Sequence, residues 1–184
     1  MDNDILKDLE YLDEGGALMY KDIRYMLIRP ETIIEFQRAV EAETGSEKIG
    51  QILYRAGHRG GTLSAAHFRE ELALATEEIV RFMANMGGQL GWGRMEITSM
   101  RPESGTLELE VFHSVFAEAF GKAESPVCHM IRGVFAGTWG FAIDQEVEGL
   151  ETRCRAVDGP GPCTFIFAPS SQRSELNVTI CPPE

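Results

Sequence analysis

PVCHMIRGVFAGTWGFAIDQEVEGLETRCRAVDGPGPCTFIF, residues 126–167, decides how this chain folds. Ser125-Pro126 opens a helix, because the missing N–H of proline is no loss in a first helical turn. Ile131, Val134, Phe135 and Trp139 carry that helix to about Ala142. Glu146 to Val157 and Cys163 to Phe167 then read as strands, separated by Asp158-Gly159-Pro160-Gly161-Pro162. Cys128 falls in the first turn of the helix, where the helix dipole favours thiolate over thiol. Cys154 and Cys163 flank the Gly-Pro turn, which can bring two strand ends together over one ion. With Glu151 they form a candidate zinc set: three thiolates and a carboxylate suit a tetrahedral, borderline-soft divalent cation.

Spacing alone leaves a second reading open, because free cysteine is among the most buried residue types and these can be plain core residues. Glu151 and Cys154 are also three apart, and a regular strand points such residues to opposite faces. Both reach one ion only if a bulge or a strand end lies between them. Asp158, His129 and Cys181 are fallback ligands in the same third of the chain. Cys181 reads better as a packing residue of a short last strand, Leu176 to Cys181.

Upstream, Gly15 to Ile28 alternates loosely and suggests a strand pair. Pro30 then starts a helix with Ile33, Ile34, Phe36 and Val40 on one side, ended by Gly45. Ser46 can cap a second helix bearing Ile49, Ile52, Leu53 and Ala56, closed by Gly57, Gly60 and Gly61. A third runs from about Ser64 through Phe68, Leu72, Ile79, Phe82 and Met86 to Gly87-Gly88. Gly93 to Met100 and Thr106 to Phe116 follow as strands around a turn at Pro102–Gly105. Helices before and within an antiparallel sheet make the class α+β. No repeat or linker is visible, so residues 15–184 read as a single domain after an N-terminal extension, 1–14.

The 184 residues include 43% hydrophobic and 25% charged, enough apolar material for a sizeable core. A net charge of -12 repels phosphate backbones and anionic lipid, so neither nucleic acid nor membrane is an expected partner. No apolar run is long enough to span a bilayer and the start carries no secretory pattern, so the expected location is cytoplasmic. Four cysteines, three of them clustered, suit a metal better than a disulfide framework in that compartment.

The run from Pro126-Val127-Cys128 through Gly133, Ala136-Gly137 and Glu151-x2-Cys154 to Cys163-x-Phe165 resembles the 4-vinyl reductase, or hydrocarbon-binding, domain family. Its relatives include the sensory domains of phenol-responsive transcription activators and, in fold, trafficking-complex (TRAPP) subunits. Gly16 to Leu27 and Thr44-Gly45 to Gly61 look like the family's N-terminal half, so the likeness spans about residues 15–168. It implies a zinc held by Cys128, Glu151, Cys154 and Cys163, with the last interval one residue longer than in the phenol sensors. It also implies a homodimer and an apolar pocket between helices and sheet. Here Trp92, Phe112, Phe116, Phe135 and Trp139 are the candidate lining and His113 the candidate polar contact. The sensors' ligand-contacting histidine would fall near Gln89–Trp92 and their tryptophan near Val111–Phe112; the present chain has neither residue at those places.

The expected function is therefore a binding or sensory domain for a small hydrophobic or aromatic molecule, stabilised by a structural zinc. With no ATPase or DNA-binding segment, any signal has to pass through a partner protein. Two other readings stand beside it. One is an enzyme or accessory in tetrapyrrole vinyl reduction, which lacks support from any Gly-x-Gly-x-x-Gly or Walker loop. The other is a dimeric assembly subunit.

Overall fold

Leu107, Leu109 and Val111 are buried while Glu108 and Glu110 between them reach toward solvent, the period-2 signature of a strand with one face on a core. The computed structural model describes residues 4–172 and places this strand inside a four-stranded sheet. In chain order the elements begin with α1 (Asp4–Lys7), β1 (Glu10–Leu12), β2 (Ala17–Tyr20) and β3 (Ile23–Tyr25). Three helices follow: α2 (Pro30–Thr44), α3 (Ser46–Leu72) and α4 (Thr76–Gln89). Next come β4 (Arg94–Arg101), β5 (Thr106–Phe112), α5 (Val115–Phe120) and α6 (His129–Ile143). The described chain closes with β6 (Val147–Arg153), α7 (Arg155–Asp158) and β7 (Cys163–Pro169).

β1, β2 and β3 form a small antiparallel sheet, and the larger one has the order β4-β5-β7-β6, all antiparallel. This is the α+β architecture expected. Residues 4–14 join it: β1 pairs with β2, and Ile5, 2% exposed, packs in the core with its N–H donating to Gln89 Oε1. The main core lies between the large sheet and the helices. Phe135, Trp139 and Ile131 of α6, Phe165 and Phe167 of β7, and Ile79 of α4 meet there, all buried.

The helix from Pro30 to Thr44 falls where the sequence places it, ended at Gly45 (φ +87). The next boundary does not. Instead of closing at Gly57–Gly61 and restarting at Ser64, α3 is continuous from Ser46 to Leu72. Its real end is Ala73, left-handed at φ +51, and the Ala75 N–H then donates to Glu78 Oε2 as α4 begins. The glycines belong to a helix crossing. Gly50 faces His129, Gly57 faces Met130 and Gly133, and Gly137 faces His58, so α3 and α6 run parallel and in contact. A Cβ on Gly61 would lie 2.1 Å from Val134 O, on Gly133 2.1 Å from Tyr54 O, and on Gly137 2.1 Å from His58 O. Backbone-to-backbone approach this close admits no side chain, and that packing overrides the weak helix propensity of glycine.

Three smaller differences have local causes. β5 stops at Phe112 because His113 turns left-handed (φ +54), and buried Ser114 caps α5 by accepting from Ala117 N–H at 3.5 Å. α6 begins at His129 with Cys128 as its N-cap residue, later than Ser125-Pro126 suggests. The strand read as continuing to Val157 ends at Arg153, and one short helical turn, α7, follows. The strand expected over Leu176 to Cys181 lies outside the described residues. No helix among the described residues is long and apolar enough to cross a membrane.

Candidate metal centre and neighbouring groove

Cys128 stands at the start of α6, Glu151 near the end of β6, Cys154 just past it and Cys163 at the start of β7. Their ligand atoms all lie within 4.8 Å of one another, and all four residues are buried. The irregularity that Glu151 and Cys154 require is present: the β6–β7 register shifts between Glu151 and Arg153, and Cys154 lies beyond the strand. Cys128 Sγ and Cys163 Sγ are 3.7 Å apart.

The surrounding polar groups point at this cluster. The Cys128 N–H donates to Glu151 Oε2 at 3.1 Å, the Arg155 N–H to Cys163 Sγ at 3.3 Å, and Ser114 Oγ lies 3.2 Å from Cys128 Sγ. Glu151 Oε1 is buried with no hydrogen-bond partner among the described residues. Such an atom is expensive unless something not made of protein answers it. Asp158 is engaged elsewhere, accepting from the Cys154 N–H at 2.9 Å, and His129 packs against Gly50. Cys181 lies outside the described residues.

Ionisation tells the same story. Thiol hydrogen bonds from Cys128 and Cys154 pull Cys163 down to about 4. Hydrogen bonds with Cys154 and Cys163, together with burial, push Cys128 well up; burial and the Cys154 charge push Glu151 well up. Four acids crowded in a dry space cannot all ionise by themselves, and one multivalent cation at their centre removes the conflict. The buried Cys/Glu cluster fits a metal ion.

Arg153 organises the hairpin that carries two of these residues. Its guanidinium donates to Gly159 O at 3.1 Å, Pro160 O at 2.7 Å and Pro162 O, gathering the turn between Cys154 and Cys163 around one cation. Gly161 (φ +129) makes room, since a Cβ there would lie 2.8 Å from Arg153 Nη2. Replacing Arg153 by glutamine is expected to speed metal loss to a chelator about tenfold, because the turn joining Cys154 to Cys163 loses the cation that gathers it. Chelator-competition kinetics on the metal-loaded chain measure it, and an unchanged rate shows the turn holds without Arg153.

Of the residues proposed for an apolar pocket, Phe116, Phe135 and Trp139 belong to the packed core, with Trp92 against it. Trp92 and Phe116 meet edge to face at 5.5 Å, and Phe112 lies under the Arg94 guanidinium, 4.0 Å from its ring centroid. His113 is exposed, with Nδ1 2.9 Å from Glu118 Oε1. Phe135 and Trp139 are sealed in the core, the latter donating its indole N–H to Gly105 O at 2.7 Å. None of these six borders the groove between α3, α6 and β6, which encloses about 780 Å³. Its walls carry Tyr54, His58, His129, Arg132 and Leu150. Arg132 stacks on Tyr54, 4.6 Å to the ring centroid, and donates to Gly149 O at 3.4 Å. Burial holds Tyr54 above its ordinary value and His58 below its own, so both are neutral near pH 7. One signal of this groove was legible: Arg132 is the sole charged residue within the otherwise uncharged run 130–143.

Residues 107–169, which hold the metal-cluster residues and the sheet strands β5, β6 and β7, match the family model of the 4-vinyl reductase domain. The match covers less than half of the chain and is to the family that its sequence resembles. No curated protein matches the chain. Among solved structures, the phenol-responsive sensory domain of the transcription activator PoxR, determined with phenol, superposes with a TM-score of 0.81. The two are 16% identical, and the match covers 98% of this chain and 95% of that one. A trafficking protein particle complex subunit 3 from Naegleria fowleri, covalently bound to palmitic acid, gives 0.53 at 12% identity, covering 77% and 95% of the two chains. A vinyl-4-reductase family protein from Methanocaldococcus jannaschii gives 0.46 at 16% identity, covering 79% and 97%. The fold over nearly the whole chain is thus that of the sensory domain.

Proposed function

We propose that this chain is a small-molecule-binding sensory domain whose C-terminal half is pinned by one structural zinc ion. The near end-to-end overlap with a phenol-responsive sensory domain supports the sensory part. The sulfur geometry supports the zinc. Tetrahedral bonds of about 2.3 Å to zinc set thiolate sulfurs about 3.8 Å apart, and Cys128 and Cys163 stand 3.7 Å apart.

Cys128, Cys154, Cys163 and Glu151 hold the ion, and bound zinc supplies a fixed tetrahedral cross-link. Four protein donors leave no position for water or substrate, so the role is structural. The cross-link ties the N-terminus of α6 to the β6–β7 hairpin, setting both against the core. The ligand is a small organic molecule, and its binding is read by a partner protein. Pairing with a second copy belongs to this reading, supported by the exposed apolar run Met26, Leu27 and Ile28, at 77%, 86% and 45% exposure.

Native and denaturing mass spectra of the freshly purified chain test it. The expected result is one zinc per chain, lost on denaturation, together with a small organic mass. Folded chain without metal overturns the structural zinc. Zinc-loaded chain that binds no small molecule from a broad aromatic and aliphatic set overturns the sensory role.

A further inference from the structure

The interior space where an apolar ligand was expected is filled by side chains. Phe135, Trp139, Phe165 and Phe167 are each at most 1% exposed, and Phe135 and Phe167 lie 6.3 Å apart, centroid to centroid. The room lies instead on the other side of α6, in the groove of about 780 Å³, a size that suits a drug-sized ligand.

We propose that this groove binds a planar organic anion of the aromatic carboxylate class, with Arg132 as its anchoring cation. This rests on the ligand-binding reading above and adds the site and the ligand's chemistry. Arg132 is held in place from two sides, by the Tyr54 ring and by Gly149 O, yet its Nε is buried without an acceptor among the described residues. A guanidinium fixed in this way presents a planar donor face, which a carboxylate matches better than any neutral group. Glu148 lines the same wall, and its charge acts on Arg132. Exposed Lys48, Arg55 and Arg59 on the rim cancel exposed Glu47, Asp144 and Glu146, and Glu148 offsets Arg132, so the groove is neutral overall and the preference rests on the fixed donor face of the Arg132 guanidinium. Tyr54, His58 and Phe141 supply flat apolar surface, with the Tyr54 and His58 rings 6.1 Å apart. The neutral hydroxyl and imidazole there add hydrogen bonding without adding charge.

Calorimetric titration of the zinc-loaded chain with 2-naphthoate and with uncharged 2-naphthylmethanol tests this. The naphthoate is expected to saturate one site and bind at least about tenfold tighter than the alcohol, the scale of a charge-assisted pair. Arg132→Gln removes that preference. Lys48→Glu, on the exposed rim and clear of the core, weakens naphthoate about two- to threefold and reduces its salt sensitivity. Because Arg132 touches the fold, Lys48→Glu decides the matter should Arg132→Gln fail to fold; unchanged naphthoate affinity in it then overturns the proposal. Alcohol binding as tight as naphthoate, or naphthoate binding indifferent to Arg132→Gln, overturns the groove assignment and leaves a sensory domain with another site. No binding of either probe overturns the proposal and counts against the sensory reading as well.

Discussion

Alanine at Cys154 is expected to abolish metal binding and to unfold the C-terminal half of the chain with it. Cys154 is 1% exposed and lies between the end of β6 and α7, within 4.8 Å of the other cluster atoms. Removing its sulfur leaves two thiols and a carboxylate buried with no cation that holds them firmly. The loss has two parts. Structural zinc contributes on the order of 10 kcal/mol of apparent binding energy in small domains, against a total stability of roughly 5–15 kcal/mol for a folded domain. The metal-free variant also keeps Glu151 buried with an unanswered oxygen. Zinc content by elemental analysis, amide exchange across β6 and β7, and the soluble yield should fall together. A folded, zinc-free Cys154→Ala chain with native exchange protection in β7 shows that the cluster does not hold the fold. Adding a strong chelator to the native chain should reproduce the same loss without any substitution.

The second large effect is expected at the α3–α6 crossing. Gly61→Ala places a methyl 2.1 Å from Val134 O and 2.8 Å from its carbonyl carbon, all backbone atoms that cannot step aside. Alanine gains up to about 1 kcal/mol of helix propensity over glycine, and the overlap exceeds it, because two helix backbones must separate along their whole contact. A net loss of about 3 kcal/mol or more follows, lowering Tm by about 6–12 °C in a chain this long. Gly60 is the internal control: it lies in the same helix, and nothing stands within 4 Å of a Cβ there. Gly60→Ala should stabilise by a few tenths to about 1 kcal/mol. Thermal melts of the two variants should move in opposite directions; parallel shifts would show that propensity, not the crossing, governs these positions.

These glycines also mark where local sequence signals stop being sufficient. Gly57, Gly60 and Gly61 read as a helix end by every local rule, yet α3 passes through them; the residues that need Gly57 and Gly61 small sit on α6, more than 70 positions away, while Gly60 faces open space. Where the controlling contact is local, the reading is accurate: Pro30 and Gly45 bracket α2, and the alternation of Leu107, Leu109 and Val111 sets the face of β5. The cysteine cluster was legible because metal ligands must be of a few residue types, and few such residues occur in the chain. The pocket was not. Apolar side chains of similar size either line a cavity or fill a core, and Phe135 and Trp139 fill it. Arg153 was invisible for another reason: its role depends on three carbonyls turning inward around it, a property of the turn's conformation and not of its composition.

The interlocked α3 and α6 restrict how the proposed sensory domain can respond to a ligand. Sliding one helix along the other by a residue would drive the Tyr54 and His58 carbonyls into the side chains beside Gly133 and Gly137, so shear at that contact is closed to it. The pair behaves as a rigid spar. In the proposed sensory reading, movement that reports a bound ligand arises at the spar's margins, in α2 and in the small β1–β3 sheet. A reporter placed across α3 and α6 should stay silent on ligand addition, and one placed between α2 and α3 should respond.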